Sequence, residues 1–286
     1  MSTLPIPPLP DVIIEPLVRL ALSEDLGRAG DITTDVTIPA DTQMVATVNA
    51  REPGIAAGYD AARLAARIVD PNLEWETLHN EGTPFEEGAE LIRLKGLARS
   101  ILTAERMILN FIGPLSGVAT LTGKFVTEVK HTKARIVCTR KTTPGFRALE
   151  KRAVRLGGGV NHRLGLDDAI LIKDNHIAAA GSIQAVLERA KASVGHLCSI
   201  EIEVDTLDQL QEALPFKPTA VLLDNMKPKM LAEAVSMIGG SCKAEASGGV
   251  NLKTVKAIAE SGVDFISVGA LTHSAVNLDV GLDYSG

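Results

Sequence analysis

Apolar positions set two different rhythms along the chain. Between about Val45 and Leu94 the alternating pieces "MVATVNA" and "ELIRLKG" predict short strands, and "YDAARLAARIV", apolar at helical spacing, predicts a helix between them. That is the pattern of a small α+β unit. The next stretch, "ARSILTAERMILNFIGPLSGVATLTGKFVTEV", is apolar-periodic but interrupted at Gly113-Pro114, which predicts two helices and a domain boundary. After residue 133 the rhythm becomes regular: "ARIVC", "AILIK", "SIEIEV", "AVLLD", "KAEAS" and "FISVG" are strand-like runs, each except the last followed by a helix-like segment. Strand-helix alternation predicts a parallel sheet. Six repeats, or seven with one unread, are too few for a full eight-fold barrel, so an open, incomplete α/β barrel is expected, with a doubly wound sheet as the alternative. The expected domains are 1–115 and 116–274, with the tail 275–286 returning to the first.

Composition narrows the class. The chain has 286 residues, 45% hydrophobic and 22% charged, with a formal net charge of −6; this is an ordinary soluble composition without the broad basic excess that nucleic-acid binding needs. No run approaches bilayer-spanning length, and "MSTLPIPPLP" lacks a basic segment followed by an apolar one, so a cytoplasmic protein without nucleic-acid or membrane partners is expected. Cys138, Cys198 and Cys242 lie far apart in or beside apolar runs, as reduced core residues do, and no Cys/His pair has zinc-site spacing.

Parallel α/β proteins assemble their sites where strand carboxyl ends meet the following loops. Those ends carry Arg140 and Lys141, then Lys173 and Asp174, then Glu201, Glu203 and Asp205, then Asp224 and Asn225, then Ser247, Gly248 and Gly249, and finally Gly269. Period-two alternation places Glu201 and Glu203 on the face opposite Ile200, Ile202 and Val204, and Lys243, Glu245 and Ser247 on one face. Buried charges require partners. Glu201, Lys243 and Glu245, deeper in their strands, are therefore assigned to a self-neutralising ion-pair lattice inside the barrel, and Lys173, Glu203 and Asp224, at the rim, to function.

Two glycine loops adjoin. Ser247-Gly248-Gly249 precedes "NLKTVKAIAESG" and Gly269-Ala270 precedes "LTHSAV", so each either makes a tight turn or offers backbone N–H groups at a helix start to an anion; their adjacency favours phosphate. "LGGGVNHRLGL" adds His162 and Arg163 before the second strand. His162 is read as a general acid or base, as a donor to a bound carboxylate, or as a surface residue. The inventory is four cations (Arg140, Lys141, Arg163, Lys173), two carboxylates and two glycine loops around one mouth, a site for a polyanion with a divalent metal or ribose hydroxyls.

Ordered motifs carry a resemblance to a known family. "LSEDLGRAGDITTD", "LTAERMILNFIGPLSGVATLT", "TRKTTPGFR", "GGGVNHRLGL", "ILIKDNHI", "EVDTLDQ", "LLDNM", "EASGGVN" and "ISVGALTHS" together resemble quinolinate phosphoribosyltransferase, the decarboxylating nicotinate-nucleotide pyrophosphorylase family, over nearly the whole chain. The resemblance implies a small N-terminal α/β sandwich domain joined to an open barrel, in a homodimer with shared active sites. Carried over residue by residue, it implies Arg106 as the arginine supplied across the dimer interface. Thr139, Arg140, Lys141, Arg163 and Lys173, with His162 nearby, would surround the carboxylates of quinolinate. Glu203 and Asp224 would face the ribose and Mg2+ of phosphoribosyl pyrophosphate, and Ser247 to Gly249 with Val268, Gly269 and Ala270 would hold the 5′-phosphate.

The implied reaction gives nicotinate mononucleotide, pyrophosphate and CO2 in NAD biosynthesis, and those residue types suit it. Lysines and magnesium stabilise the departing anion, and carboxylates stabilise the cationic sugar. Three rivals stand beside it: a sister phosphoribosyltransferase for another ring acid, a Schiff-base aldolase using Lys173, and a regulator that only binds a phosphorylated metabolite.

Overall fold

The computed structural model describes residues 6–284. Residues 1–5 of "MSTLPIPPLP" and 285–286 of the tail expected to return to the first domain lie outside the described residues. The chain forms two compact units, Met1–Gly123 with Thr142–Gly158 and Leu271–Gly286, and Lys124–Lys141 with Gly159–Ala270.

In the first unit the elements are α1 (Asp11–Leu26), α2 (Ile32–Thr37), β1 (Gln43–Ala50), β2 (Gly54–Ile55), α3 (Tyr59–Val69), β3 (Glu74–Thr77), β4 (Pro84–Phe85), β5 (Glu90–Leu97) and most of α4 (Ala98–Val129). Strands β1, β5 and β3 and the C-terminal strand (Val280–Tyr284) form an antiparallel sheet, with the C-terminal strand paired to β1 from Ala46↔Tyr284 to Ala50↔Val280. Helix α3 buries Ala61, Ala62, Leu64, Ala65 and Ala66, and α1 buries the i, i+4, i+8 stripe Ile14, Val18, Leu22.

The expected break at Gly113-Pro114 does not occur: α4 is one helix of 32 residues with Pro114 inside it. An internal proline costs ~3 kcal/mol. Phe111, Ile112, Leu115 and Val118 are buried on both sides of it, and at about 1.5–3 kcal/mol each their burial outweighs that cost. Glycines on the same helix admit the C-terminal segment. Leu278 N–H donates to Gly113 O at 3.0 Å, and a Cβ on Gly117 would stand 2.1 Å from Val276 O. Helix α5 (Arg147–Leu156) completes this unit.

The second unit contains β6 (Arg135–Val137), β7 (Ile170–Ile172), α6 (Asp174–Ala180), α7 (Ile183–Ser193), β8 (Ile200–Val204), α8 (Leu207–Ala213), β9 (Ala220–Asp224), α9 (Pro228–Ile238), β10 (Lys243–Ser247), α10 (Val255–Glu260) and β11 (Phe265–Ser267). After these come α11 (Ala270–His273), which begins at the last residue of the unit, and β12, the C-terminal strand already described.

Its six strands are parallel in the order β6-β11-β10-β9-β8-β7. From β7 to β11 each strand neighbours its successor in sequence, and β11 pairs with the first strand, β6. A doubly wound sheet would reverse direction at a switch point; this order instead runs round to its start, leaving only β6 and β7 not paired with each other. That is an incomplete α/β barrel, as expected, and the isolated bridge Val137↔Val160 lies on its open side.

Candidate active site

The barrel brings Thr139, Arg140 and Lys141 to the carboxyl end of β6, Lys173 to that of β7, Glu203 to β8, Asp224 to β9, Ser247 to β10 and Val268 to β11. Local hydrogen bonds shape each loop. Thr139 Oγ1 accepts the Lys141 N–H at 3.0 Å. The carboxylate of Asp168 accepts the Leu164 and Gly165 N–H groups at 2.6 and 3.0 Å, folding the segment that carries His162 and Arg163.

Lys173 precedes α6, and its Nζ lies 3.1 Å from Glu203 Oε2. Burial pushes the Glu203 carboxyl up, Lys173 opposes the shift, and the nearby charges of Asp224 and Asp174 reinforce it. Two oxygen-rich carboxylates, Glu203 and Asp224, thus stand close enough to repel, a donor set that suits a hard divalent cation.

Glycine is required beside them. Gly248 has φ +92°, and a Cβ there would stand 2.1 Å from Asn225 Oδ1; Gly249 follows at φ +59°. Asn225, itself at φ +54°, donates its N–H to Ser247 O at 2.9 Å, so the loops after β9 and β10 interlock. Neither glycine loop opens directly into a long helix. Asn251 to Thr254 form a turn before the six-residue α10, and α11 has four residues. The Val268 N–H is used by Val137 O at 2.9 Å, so this residue fixes the loop rather than offering an amide to a ligand.

The buried lattice differs in membership from the sequence expectation. Lys243 begins β10 at its amino end. Its side chain is 61% exposed, and Nζ lies 3.7 Å from Asp264, because a long lysine stem reaches solvent from that position. His162 takes its place: Nε2 lies 2.9 Å from Glu201 Oε2 and 3.7 Å from Glu245 Oε1. Ser267, which the sequence reading did not single out, donates to Glu245. The alternation in "FISVG" sets Phe265 and Ser267 on one face, and a serine there was the available signal.

Arg163 borders this cluster and lines two cavities, one of about 290 Å³ with His162, Glu201 and Glu245, the other of about 550 Å³ along β7 with Leu171 and His176. Its Nη1 donates to Ala169 O at 3.0 Å, while its buried Nε has no hydrogen-bond partner among the described residues. Burial and the Arg140 guanidinium both press against its charge, whereas Asp168 and Glu201 support it. Arg106 sits in the first unit on α4, exposed and without an ion-pair partner among the described residues.

Fold and mouth together define an α/β-barrel protein whose cationic rim, two acidic residues and glycine loops suit a phosphorylated polyanion. The description "Quinolinate phosphoribosyl transferase, N-terminal domain" matches residues 31–116, and its C-terminal counterpart matches residues 118–283. The chain belongs to the quinolinate phosphoribosyltransferase family. A nicotinate-nucleotide pyrophosphorylase (carboxylating) of Mycobacterium leprae is 44% identical over 271 residues, 93% of this chain and 95% of the relative. A quinolinate phosphoribosyltransferase (decarboxylating) of Nicotiana tabacum is 42% identical over 96% of this chain and 83% of its own. The solved nicotinate-nucleotide pyrophosphorylase of Francisella tularensis superposes with a TM-score of 0.93 at 42% identity, covering 99% of this chain and all of that one.

Proposed function

We propose that this chain transfers phosphoribosyl from phosphoribosyl pyrophosphate to quinolinate with loss of CO2, forming nicotinate mononucleotide in NAD biosynthesis. One observation supports the reading beyond family membership: Arg163 keeps a buried Nε–H without a hydrogen-bond partner among the described residues, and the Arg140 guanidinium stands close enough to press against its charge. A planar guanidinium with unused donors suits a carboxylate.

In this reading Thr139, Arg140, Lys141, Arg163 and Lys173 surround the dicarboxylate, with Arg106 supplied by the partner of a homodimer. Ser247, Gly248, Gly249, Gly269 and Ala270 hold the 5′-phosphate, and Val268 places the last two. Glu203 and Asp224 face the ribose and hold Mg2+, which when bound neutralises pyrophosphate charge. The pyridine nitrogen forms its bond to ribose C1 as the C1–O bond breaks and that electron pair leaves with pyrophosphate. Glu203 and Asp224 stabilise the positive charge on the sugar, and Lys141 and Lys173 the charge on the leaving group. The C2–carboxylate bond then breaks, its electron pair held beside the cationic ring nitrogen until C2 takes a proton from water. No protein nucleophile is needed. A cytoplasmic setting belongs to this reading, and among the described residues no helix is long and apolar enough to cross a membrane.

The aldolase reading fares worse on one contact. A Schiff-base lysine needs a free amine in an apolar pocket, whereas Lys173 is exposed and ion-paired with Glu203. Mixing the protein with magnesium, phosphoribosyl pyrophosphate and quinolinate tests the proposal: nicotinate mononucleotide and CO2 should appear in equal amounts. Turnover of nicotinate instead, or none from folded protein, would contradict it.

A further inference from the structure

Two carboxylates, an imidazole and a hydroxyl lie buried beneath the mouth, and the chemistry above uses none of their protons. His162 Nδ1 accepts the Arg163 N–H at 2.8 Å, so Nδ1 carries the lone pair and Nε2 carries the hydrogen. That Nε2–H points at Glu201 Oε2, 2.9 Å away. Both ring nitrogens are thus engaged by the protein itself, and neither is directed at a ligand. His162 was expected beside the quinolinate carboxylates; its hydrogen bonds run to Glu201 and the Arg163 main chain.

We propose that Glu201, Glu245 and Ser267 are positioning residues for the ring-acid pocket, locking His162 in its neutral Nε2–H tautomer so that His162 fixes the main chain of Arg163. The proposal rests on the reading of Arg163 as a quinolinate ligand given above. A metal reading of the same cluster meets an obstacle. One ligand atom from each of His162, Glu201 and Glu245 lies within 4.8 Å of the others, but the imidazole turns an N–H, not a lone pair, towards the carboxylates. A cation would have to displace that proton while Nδ1 remains committed to the Arg163 amide.

A proton serves the cluster better. Two carboxylates this close and this buried cannot both be ionised at low cost. Glu201 Oε1 is buried without a hydrogen-bond partner among the described residues, while Glu245 accepts from Ser267. A proton on Glu245 relieves that repulsion. Burial first, then the Glu201 charge, push the Glu245 carboxyl up to about 7. The groups facing Glu245 are Glu201 from β8, His162 from the segment before β7, and Ser267 from β11. Arg163 acts on Glu201 and has Arg140 beside it, and Lys243 on β10 itself is turned to Asp264.

Nitrogen-15 NMR of the histidine rings, assigned with His162→Gln, tests the tautomer independently of turnover. His162 should appear as the neutral Nε2–H form, and an imidazolium or Nδ1–H signal would overturn the proposal. Glu201→Leu should raise KM for quinolinate about tenfold and change KM for phosphoribosyl pyrophosphate less than about twofold. Glu201→Gln, which still accepts from Nε2–H, should restore much of the loss. Equal rises in both KM values, no rescue, or a stoichiometric metal in the purified protein that is lost in His162→Gln would each contradict it. Absence of quinolinate turnover in the wild type would remove the functional reading instead, and the ring spectrum would still decide the tautomer.

Discussion

Two arginines behave differently in the two units. Arg152, in the first, has a side chain 10% exposed; its Nε meets Asp60 Oδ2 at 3.0 Å and Pro7 O at 3.2 Å, and its Nη1 meets Glu81 Oε2 at 2.8 Å. Burial pushes the Glu81 carboxyl up and Arg152 pulls it back. Arg163, in the second, makes one main-chain contact through Nη1 and leaves its buried Nε without a partner among the described residues. A guanidinium matched by the protein's own carboxylates holds the fold together. One set beside a second guanidinium, with a buried donor unused among the described residues, gives up stability for a ligand.

This contrast can be broken by exchanging the expected losses. Arg163→Ala should lower kcat/KM for quinolinate about 10³-fold or more while moving Tm by no more than about 2 °C, as measured by steady-state kinetics and thermal melts. Arg152→Ala should do the reverse, costing about 3–5 kcal/mol because Asp60 and Glu81 are left buried and unpaired. If both variants lose stability alike, the distinction fails. Arg106→Ala and Lys173→Ala homodimers should each be inactive, and a mixture of the two should recover up to about a quarter of wild-type activity if each site draws on both chains. Complete failure to complement would remove the shared-site reading. Gly248→Ala forces a Cβ against Asn225 in left-handed backbone and should raise KM for phosphoribosyl pyrophosphate about tenfold with little change for quinolinate.

The smallest effect concerns pH. The Glu245 carboxyl sits above its ordinary value of 4.5, at about 7 in the fold, so the native state binds the extra proton between those values. Its contribution to stability is complete below about pH 4.5 and is lost as pH rises through about 7. Glu245→Gln should remove that slope and gain on the order of 2 kcal/mol relative to wild type between pH 5 and 8, read from denaturant melts. Parallel pH profiles for the two proteins would show that Glu245 carries no such proton.

Alternation in "SIEIEV" correctly set Glu201 and Glu203 on the inner face, because period two is a property of the strand itself, and strand-end position collected the rim residues. Three features needed the third dimension. Pro114 is absorbed into α4 because apolar surface on both sides is buried, and a local breaker rule does not weigh that burial. Lys243 shares a face with Glu245 but starts its strand, so its stem leaves the barrel. The placement of α5 depends on a close approach at Gly157, where a Cβ would stand 2.3 Å from Ala119 O. Periodicity contains no such distance.

The most direct test of the central claim follows quinolinate carrying an isotopic label in the carboxylate next to the ring nitrogen. With magnesium and phosphoribosyl pyrophosphate, the wild-type protein should release one label as CO2 for each nicotinate mononucleotide formed, and Arg163→Ala, still folded, should release almost none. Label release by Arg163→Ala at the wild-type rate would contradict the account.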